Sequence, residues 1–327
     1  MFASVSVVIP ARNEGAHIGA CVRSVIAQEF DGELETIVSD GISGDGTAAL
    51  AVAAGATVVE NHEQTIPSAL NRGLAAARGT ILVRFDAHAE MPQGYVAACL
   101  RALGEEPGAV NVGGWRRAEG TGRWGRATGR LLAVQLGVGN PRIWRRPAVG
   151  STRLDVETVP LGCFRIDALR AAGGWREDLH ANEDFELNHR LRRAGGRVVF
   201  DPEIWSIYRP RETPLALARQ YWNYGRWKAA MLAEAPDSLR SRQLAPPALL
   251  GTAMLAAAPT PLRLPARAAL GLYAWLVAAT AVRTRTGWHG AAALAIMHGA
   301  WGAGLLSGAL RRACSGTCRS SRTGARA

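Results

Sequence analysis

Val5-Ser-Val-Val-Ile-Pro-Ala-Arg-Asn-Glu14 opens on a β-branched apolar run and closes on a proline and polar residues. Val5–Ile9 has the pattern of a strand buried on both faces. Working outward, Ile18, Cys21, Val22, Val25 and Ile26 make one stripe of a helix. Leu34–Ser39 reads as a second strand and Thr47–Ala54 as a second helix closed by Gly55. Thr57–Val59 is a third strand; Pro67 opens a helix that Gly79 closes. Ile81–Phe85 is a fourth strand, Pro92 opens another helix, and Ala109–Val112 is a fifth strand. Such alternation predicts an α/β fold with a doubly wound, mostly parallel sheet. Ligands of these sheets bind beyond the carboxyl ends of the strands. That singles out Pro10–Glu14, Asp40–Thr47 and Asp86–Glu90.

Beyond residue 115 the pattern dissolves into Gly, Arg and Trp until about 153, predicting a long functional loop. Order returns at Val156–Phe164, in helices over Asp167–Ala172 and Glu183–Ala194, and in a strand at Val198–Phe200. Asn182 is the expected N-cap of the Glu183 helix. Pro214–Glu234 is an amphipathic segment rich in Tyr, Trp and Arg. Leu244–Leu262, Ala268–Val282 and Trp288–Leu310 are then almost free of charge, with arginines between them. The last is long enough to cross a bilayer, the middle one is marginal, and four prolines weaken the first. The expected organisation is a catalytic domain over 1–235, apolar membrane-associated helices over 236–312, and a basic disordered tail over 313–327. Keeping that Arg-rich tail inside favours two spans, with the first segment at the interface.

The 327 residues carry a net charge of +11 and lysine is nearly absent. A basic balance suits nucleic acid, anionic membranes or phosphorylated ligands. No nucleic-acid reading element or contiguous basic face accompanies it, which speaks against a nucleic-acid partner. The dinucleotide fingerprint G-x-G-x-x-G is missing, which speaks against a nicotinamide enzyme. Five scattered cysteines point to a reducing compartment. Cys314 and Cys318 lack the further ligands of a zinc site. The N-terminus shows no charged-then-apolar signal pattern.

Three polar clusters carry chemistry. Asp40-Gly-Ile-Ser-Gly-Asp-Gly-Thr47 combines turn glycines with a carboxylate able to accept from a base N–H or a ribose hydroxyl. It also reads as a plain strand–turn–helix capped by Ser43 or Asp45. In Asp86-Ala-His88, an extended chain points Asp86 and His88 to one side, a spacing for one shared ion or diphosphate. On that stretch alone, a solvated strand end fits better. Glu183-Asp184 suits either a helix dipole or a general base. The aromatic and cationic run 219–228 can clamp a sugar phosphate or lie at the membrane surface.

The order of Val5–Glu14, the Asp40 turn, Asn71-x-Gly-Leu-x-x-Ala-Arg-Gly79, Asp86-x-His88 and Glu183-Asp184 resembles family 2 glycosyltransferases of GT-A fold. Gly137-Val-Gly-Asn140, Val156–Gly162 and Glu183–Asp201 look closer to the succinoglycan-type, exopolysaccharide glucosyltransferase branch. The resemblance implies a nucleotide-sugar donor at Pro10, Arg12, Glu14, Asp40, Arg78, Asp86, Ala87 and His88. It implies a divalent ion at Asp86 and His88, and Asp184 as general base beside Glu183. Asn140, Gln220, Arg226 and Trp227 are candidate acceptor or phosphate contacts. Histidine at the third D-x-D position favours manganese over magnesium, or leaves Asp86 to ligate alone. Gln220 and Arg226-Trp227 stand too far apart for the processive Q-x-x-R-W motif, which favours transfer of one sugar at a time. The implied reaction is inverting, from a donor such as UDP-glucose to a lipid-linked or saccharide acceptor, at the cytoplasmic face of the membrane. An inactive membrane-bound scaffold that only binds nucleotide sugar is the alternative.

Overall fold

A computed structural model of the chain describes residues 3–138, 141–179, 182–232 and 236–323. The first part alternates as expected: β1 (Ala3–Ala11), α1 (Ile18–Ile26), β2 (Gly32–Asp40), α2 (Thr47–Ala53), β3 (Thr57–Glu60), α3 (Ile66–Ala76), β4 (Ile81–Arg84) and α4 (Tyr95–Glu105). β1 pairs in parallel with both β2 and β4, and β2 with β3. Alternation along β1 sends Val5, Val7 and Ile9 into one core layer with Ile18, Val22 and Val25. Val8 enters the opposite layer with Leu70, Leu82 and Trp175. Each buried Val, Leu or Ile contributes roughly 1.5–3 kcal/mol, so the two-sided burial fixes the strand register. Gly73 lets α3 lie directly on the sheet, since a Cβ there would stand 2.2 Å from Val8 Cγ1.

β5 (Ala109–Ala118) does not dissolve at 115; it continues through Trp115, Arg116 and Arg117. Two helices follow, α5 (Arg123–Leu132) and α6 (Gln135–Val138), where a loop was expected. Then come β6 (Leu154–Asp155), β7 (Cys163–Arg165), α7 (Ile166–Ala171), α8 (Glu183–Arg193) and β8 (Arg197–Tyr208). Among the described residues the strands form one eight-stranded sheet, β3-β2-β1-β4-β7-β5-β8-β6. β7 runs antiparallel between β4 and β5, and β6 antiparallel to β8. β8 extends far past Val198–Phe200 despite the polar Asp201-Pro-Glu203 interruption.

The chain divides into two compact units. One comprises residues up to Arg117 with Arg142–Tyr208; the other comprises Ala118–Pro141 and everything from Arg209. The compact units divide near 208, not at the expected 235, and the second takes in α5 and α6. The reason is local. Glu212 accepts hydrogen bonds from the backbone N–H groups of Thr121 (2.7 Å), Gly122 (2.9 Å) and Gly125 (3.2 Å). Its carboxylate thus caps the amino end of α5, where an anion is favoured.

The second unit continues with α9 (Pro214–Leu232), α10 (Ala245–Ala257), α11 (Arg263–Arg283) and α12 (Gly287–Thr323). α11 and the Gly287–Arg312 part of α12 are long and apolar enough to cross a membrane. α10, with 13 residues, is too short. Glycines let α9 and α12 approach closely: a Cβ on Gly225 would stand 2.1 Å from Trp301 O, and one on Gly304 2.2 Å from Trp222 O. α12 runs to Thr323, into the segment expected as a disordered tail. The stretch 313–323 is mostly Ser, Thr, Cys and Gly, which are weak helix formers, and it extends a helix already nucleated upstream.

Candidate active site

The carboxyl edge of β1, β2 and β4 carries three loops that are tied to one another. Gly41 N donates to Ala11 O (2.8 Å), continuing the β1–β2 ladder past Pro10. Asn13, at φ 54°, donates its N–H to Ser43 Oγ (2.8 Å) and accepts from Gly44 N (3.2 Å). Glu14 N donates to Thr47 Oγ1 (2.9 Å), and Gly15 N to Asp45 Oδ2 (2.9 Å). Arg12 lies over Gly41, whose Cβ would stand 3.2 Å from Arg12 Cβ. Asp40 is buried, and Ser43 occupies both its oxygens, through its hydroxyl at 2.6 Å and its N–H at 2.9 Å. Each carboxylate oxygen keeps a second acceptor position. The turn-forming and ligand-accepting roles of Asp40 are therefore compatible.

Asp86 follows β4 at the same edge. Arg116 Nη2 approaches its Oδ2 at 3.3 Å, and Arg84 Nη2 its Oδ1 at 3.8 Å. Burial pushes the Asp86 pKa up, but Arg116, Arg84 and His88 together outweigh it and hold the group below the usual carboxylate range. The chain does not stay extended to His88. It turns at Ala87-His88, with Ala89 N donating to Asp86 O at 3.1 Å. Ala87 is buried in that turn, and His88 Nδ1 stands 3.3 Å from Glu14 Oε1. Glu14 and His88 are thus brought together by the turn, not by strand alternation.

Glu183 and Asp184 open α8. Asn182 takes the cap position in the left-handed region, φ 65°, without a side-chain cap bond. Trp175 Nε1 donates to Asp184 Oδ1 at 3.0 Å. Arg84, buried at the end of β4, contacts Asp184 Oδ2 and donates to Glu183 Oε1 at 3.2 Å. Burial and the neighbouring Asp184 charge raise the Glu183 pKa, against the opposing pull of Arg84. Arg84 thus links both acidic clusters, Asp86 and Glu183-Asp184.

Beyond Arg116 the edge turns aromatic. The Arg116 guanidinium lies 5.5 Å from the Tyr208 ring, which meets Trp144 at 4.9 Å. Arg117 lies over Trp205 at 4.7 Å, and Trp205 stacks on Trp115. Arg84, Arg116 and Trp175 escaped the sequence reading. The available signal was a charged residue inside an otherwise apolar strand, Ile81-Leu-Val-Arg84.

Arg78 requires correction. It precedes β4, at the amino edge of the sheet and away from Asp86. There its N–H and Nε donate to Glu35 at 2.6 and 3.1 Å. Burial pushes Glu35 up, but the bonds from Ser6 and Arg78 outweigh it and depress its pKa. The Arg78–Glu35 pair ties the segment before β4 to β2 at that edge. Asn140 lies outside the described residues. Gln220, Arg226 and Trp227 lie on α9 in the second unit, where Gln220 bonds Tyr224 and Arg226 lies over Trp227.

A divalent ion would find one ionised carboxylate and one imidazole here. Among the described residues no three His, Cys, Asp or Glu side chains gather closely enough to hold an ion unaided. Magnesium and manganese commonly complete their shells with substrate phosphates. Asp86 and His88 therefore fit an ion that arrives with a diphosphate.

The glycosyl transferase family 2 model matches residues 6–165. The chain is 30% identical over 314 residues to the succinoglycan biosynthesis protein ExoA of Rhizobium meliloti (strain 1021), covering 91% of this chain and 92% of that protein. It is 23% identical over 241 residues to a dolichyl N-acetyl-alpha-D-glucosaminyl phosphate 3-beta-D-2,3-diacetamido-2,3-dideoxy-beta-D-glucuronosyltransferase of Methanococcus voltae, covering 70% and 74%. Among solved structures, the mannosyltransferase PcManGT of Pyrobaculum calidifontis, in complex with GDP-Man and Mn2+, matches with a TM-score of 0.65 at 21% identity, covering 92% and 88%.

Proposed function

Because the chain belongs to glycosyl transferase family 2 and has a GT-A fold, we propose that it moves a single sugar from a nucleotide diphosphate donor to an acceptor hydroxyl with inversion. The observation that carries this reading is the common carboxylate system of Asp86 and Asp184, bridged by Arg84. Asp86 serves the donor and Asp184 the acceptor. Asp184 takes the hydroxyl proton as the acceptor oxygen bonds to the anomeric carbon. The bond from that carbon to the diphosphate oxygen breaks, and its electron pair leaves with the nucleotide. One base suffices; a covalent intermediate would need a paired second carboxyl group. Asp86, with His88 beside it, would hold the divalent ion, which would supply charge neutralisation to the leaving diphosphate. Arg12, Glu14 and Asp40 line the nucleotide side of the edge. Trp144 and Tyr208 offer aromatic faces for a sugar ring.

UDP-glucose is the first donor to test, and exopolysaccharide synthesis the setting, by likeness to the succinoglycan protein. A lipid-linked acceptor is supported by the dolichyl phosphate in the name of the archaeal relative and by the apolar helices α11 and α12. The long, nearly charge-free stretches of α11 and α12 support attachment to a membrane, and the cytoplasmic face is the side we propose because nucleotide sugars are made there.

A thermal-shift screen of nucleotide sugars with Mn2+ and Mg2+ tests the donor reading. Stabilisation by a nucleotide sugar only when an ion is present is expected; indifference to every nucleotide sugar contradicts it. The ion's identity is read with His88→Asp. Replacing imidazole by carboxylate should shift the preference from Mn2+ toward Mg2+, by about tenfold in the ratio of activities. An unchanged ratio would show that His88 does not ligate.

A further inference from the structure

Arg84 is a guanidinium 7% exposed, in a strand whose other members are Ile81, Leu82 and Val83. An apolar residue there would avoid the cost of burying a charge, which several kcal/mol of desolvation make high. Its surroundings explain the cation. Nη1 reaches Glu183 Oε1 at 3.2 Å and touches Asp184 Oδ2, while Nη2 lies 3.8 Å from Asp86 Oδ1. Three carboxylates from segments about a hundred residues apart therefore share one planar fork. The other oxygen of Asp184 accepts from Trp175 Nε1 at 3.0 Å. Trp175 is itself fixed, with its N–H on Asn71 Oδ1 at 2.8 Å and its ring against Phe164. Asp184 is thus gripped on both oxygens, which sets the plane of its carboxylate.

We propose that Arg84 is the positioning residue of the transfer reaction: it aims the Asp184 carboxylate and ties it at a fixed separation from Asp86. This rests on reading Asp184 as the base. Arg84 acts through Asp184, not on substrate. Asp86 retains Arg116 when Arg84 is removed, so the donor side keeps a cationic partner. A guanidinium can serve several carboxylates in fixed directions, whereas an ammonium is a point charge on a flexible stem.

The test uses the full chain with Arg84→Met, Arg84→Lys and Asp184→Asn, followed by kcat, donor KM and thermal melting. Misplacing a reacting group by about 1 Å can cost on the order of 100-fold, so Arg84→Met should lower kcat by about that factor while donor KM moves less than about threefold. Arg84→Lys should recover about tenfold of the loss. A purely structural role would instead lower the melting temperature and leave kcat per folded molecule unchanged, which overturns the proposal. Should Arg84→Met fail to fold, Arg84→Lys decides: reduced kcat at unchanged KM supports positioning, and parental kcat overturns it. An active Asp184→Asn would overturn the base reading and this proposal together. An inactive Asp184→Asn beside a fully active Arg84→Met would overturn only the latter.

Discussion

Asp184→Asn should lower sugar transfer by about 10²–10⁴-fold, the usual contribution of a general base, while donor binding stays nearly unchanged. An amide cannot take the acceptor proton. Its oxygen can still accept from Trp175 Nε1, so the start of α8 keeps one of its two anchors. Its NH2 group would face the Arg84 guanidinium where Oδ2 now sits. The arginine then loses one of its carboxylates but keeps Glu183. Folding and the Asp86 side of the edge should therefore survive. Transfer of radiolabelled sugar, set beside nucleotide-dependent thermal stabilisation of the same variant, checks both halves. Full transfer by the variant would remove Asp184 from the role.

Asp86→Ala is the second large effect. Transfer should fall by about 100-fold or more, the order expected when Lewis-acid stabilisation worth several kcal/mol is lost. The binding consequence is more specific. Asp86 is held ionised by Arg116, Arg84 and His88 against the pull of burial. Without it, Arg116 loses its carboxylate partner and continues to attract a diphosphate. The variant should therefore keep metal-independent nucleotide binding and lose the increment that Mn2+ or Mg2+ adds. Thermal shifts with nucleotide, with ion and with both measure that increment. Its persistence at parental size would place the ion elsewhere.

The contrast between Asp86 and Arg78 shows how far the sequence could be read. Both flank one strand, Ile81–Arg84, and the motif order favours both. Only the strand's direction separates them: parallel pairing with β1 puts Asp86 at the carboxyl edge and Arg78 at the amino edge, beside Glu35. Two-sided burial made β1, β2 and β4 legible, because short β-branched apolar runs such as Val7-Val8-Ile9 suit a strand covered on both faces. β8 was less legible. Asp201 is buried there against Arg153 at 2.6 Å, a tertiary pairing that local pattern does not report. The continuation of β5 through Arg116 was hidden likewise, since its charge is balanced by Asp86, 30 residues earlier. Asp40 and Asp184 could be singled out by type and order. Their anchors, Ser43 for one and Arg84 with Trp175 for the other, are contacts that residue type and order do not specify. The inserted α5 and α6 were obscured for the same reason: the Glu212 cap that joins them to the later helices spans about ninety residues.

The anomeric configuration of the product tests the account most directly. The full chain, given the donor selected by the nucleotide-sugar screen, should yield a glycoside whose proton NMR coupling shows the configuration opposite to that of the donor. That is the result of a direct displacement assisted by Asp184 alone. A product with the donor's configuration retained would contradict it.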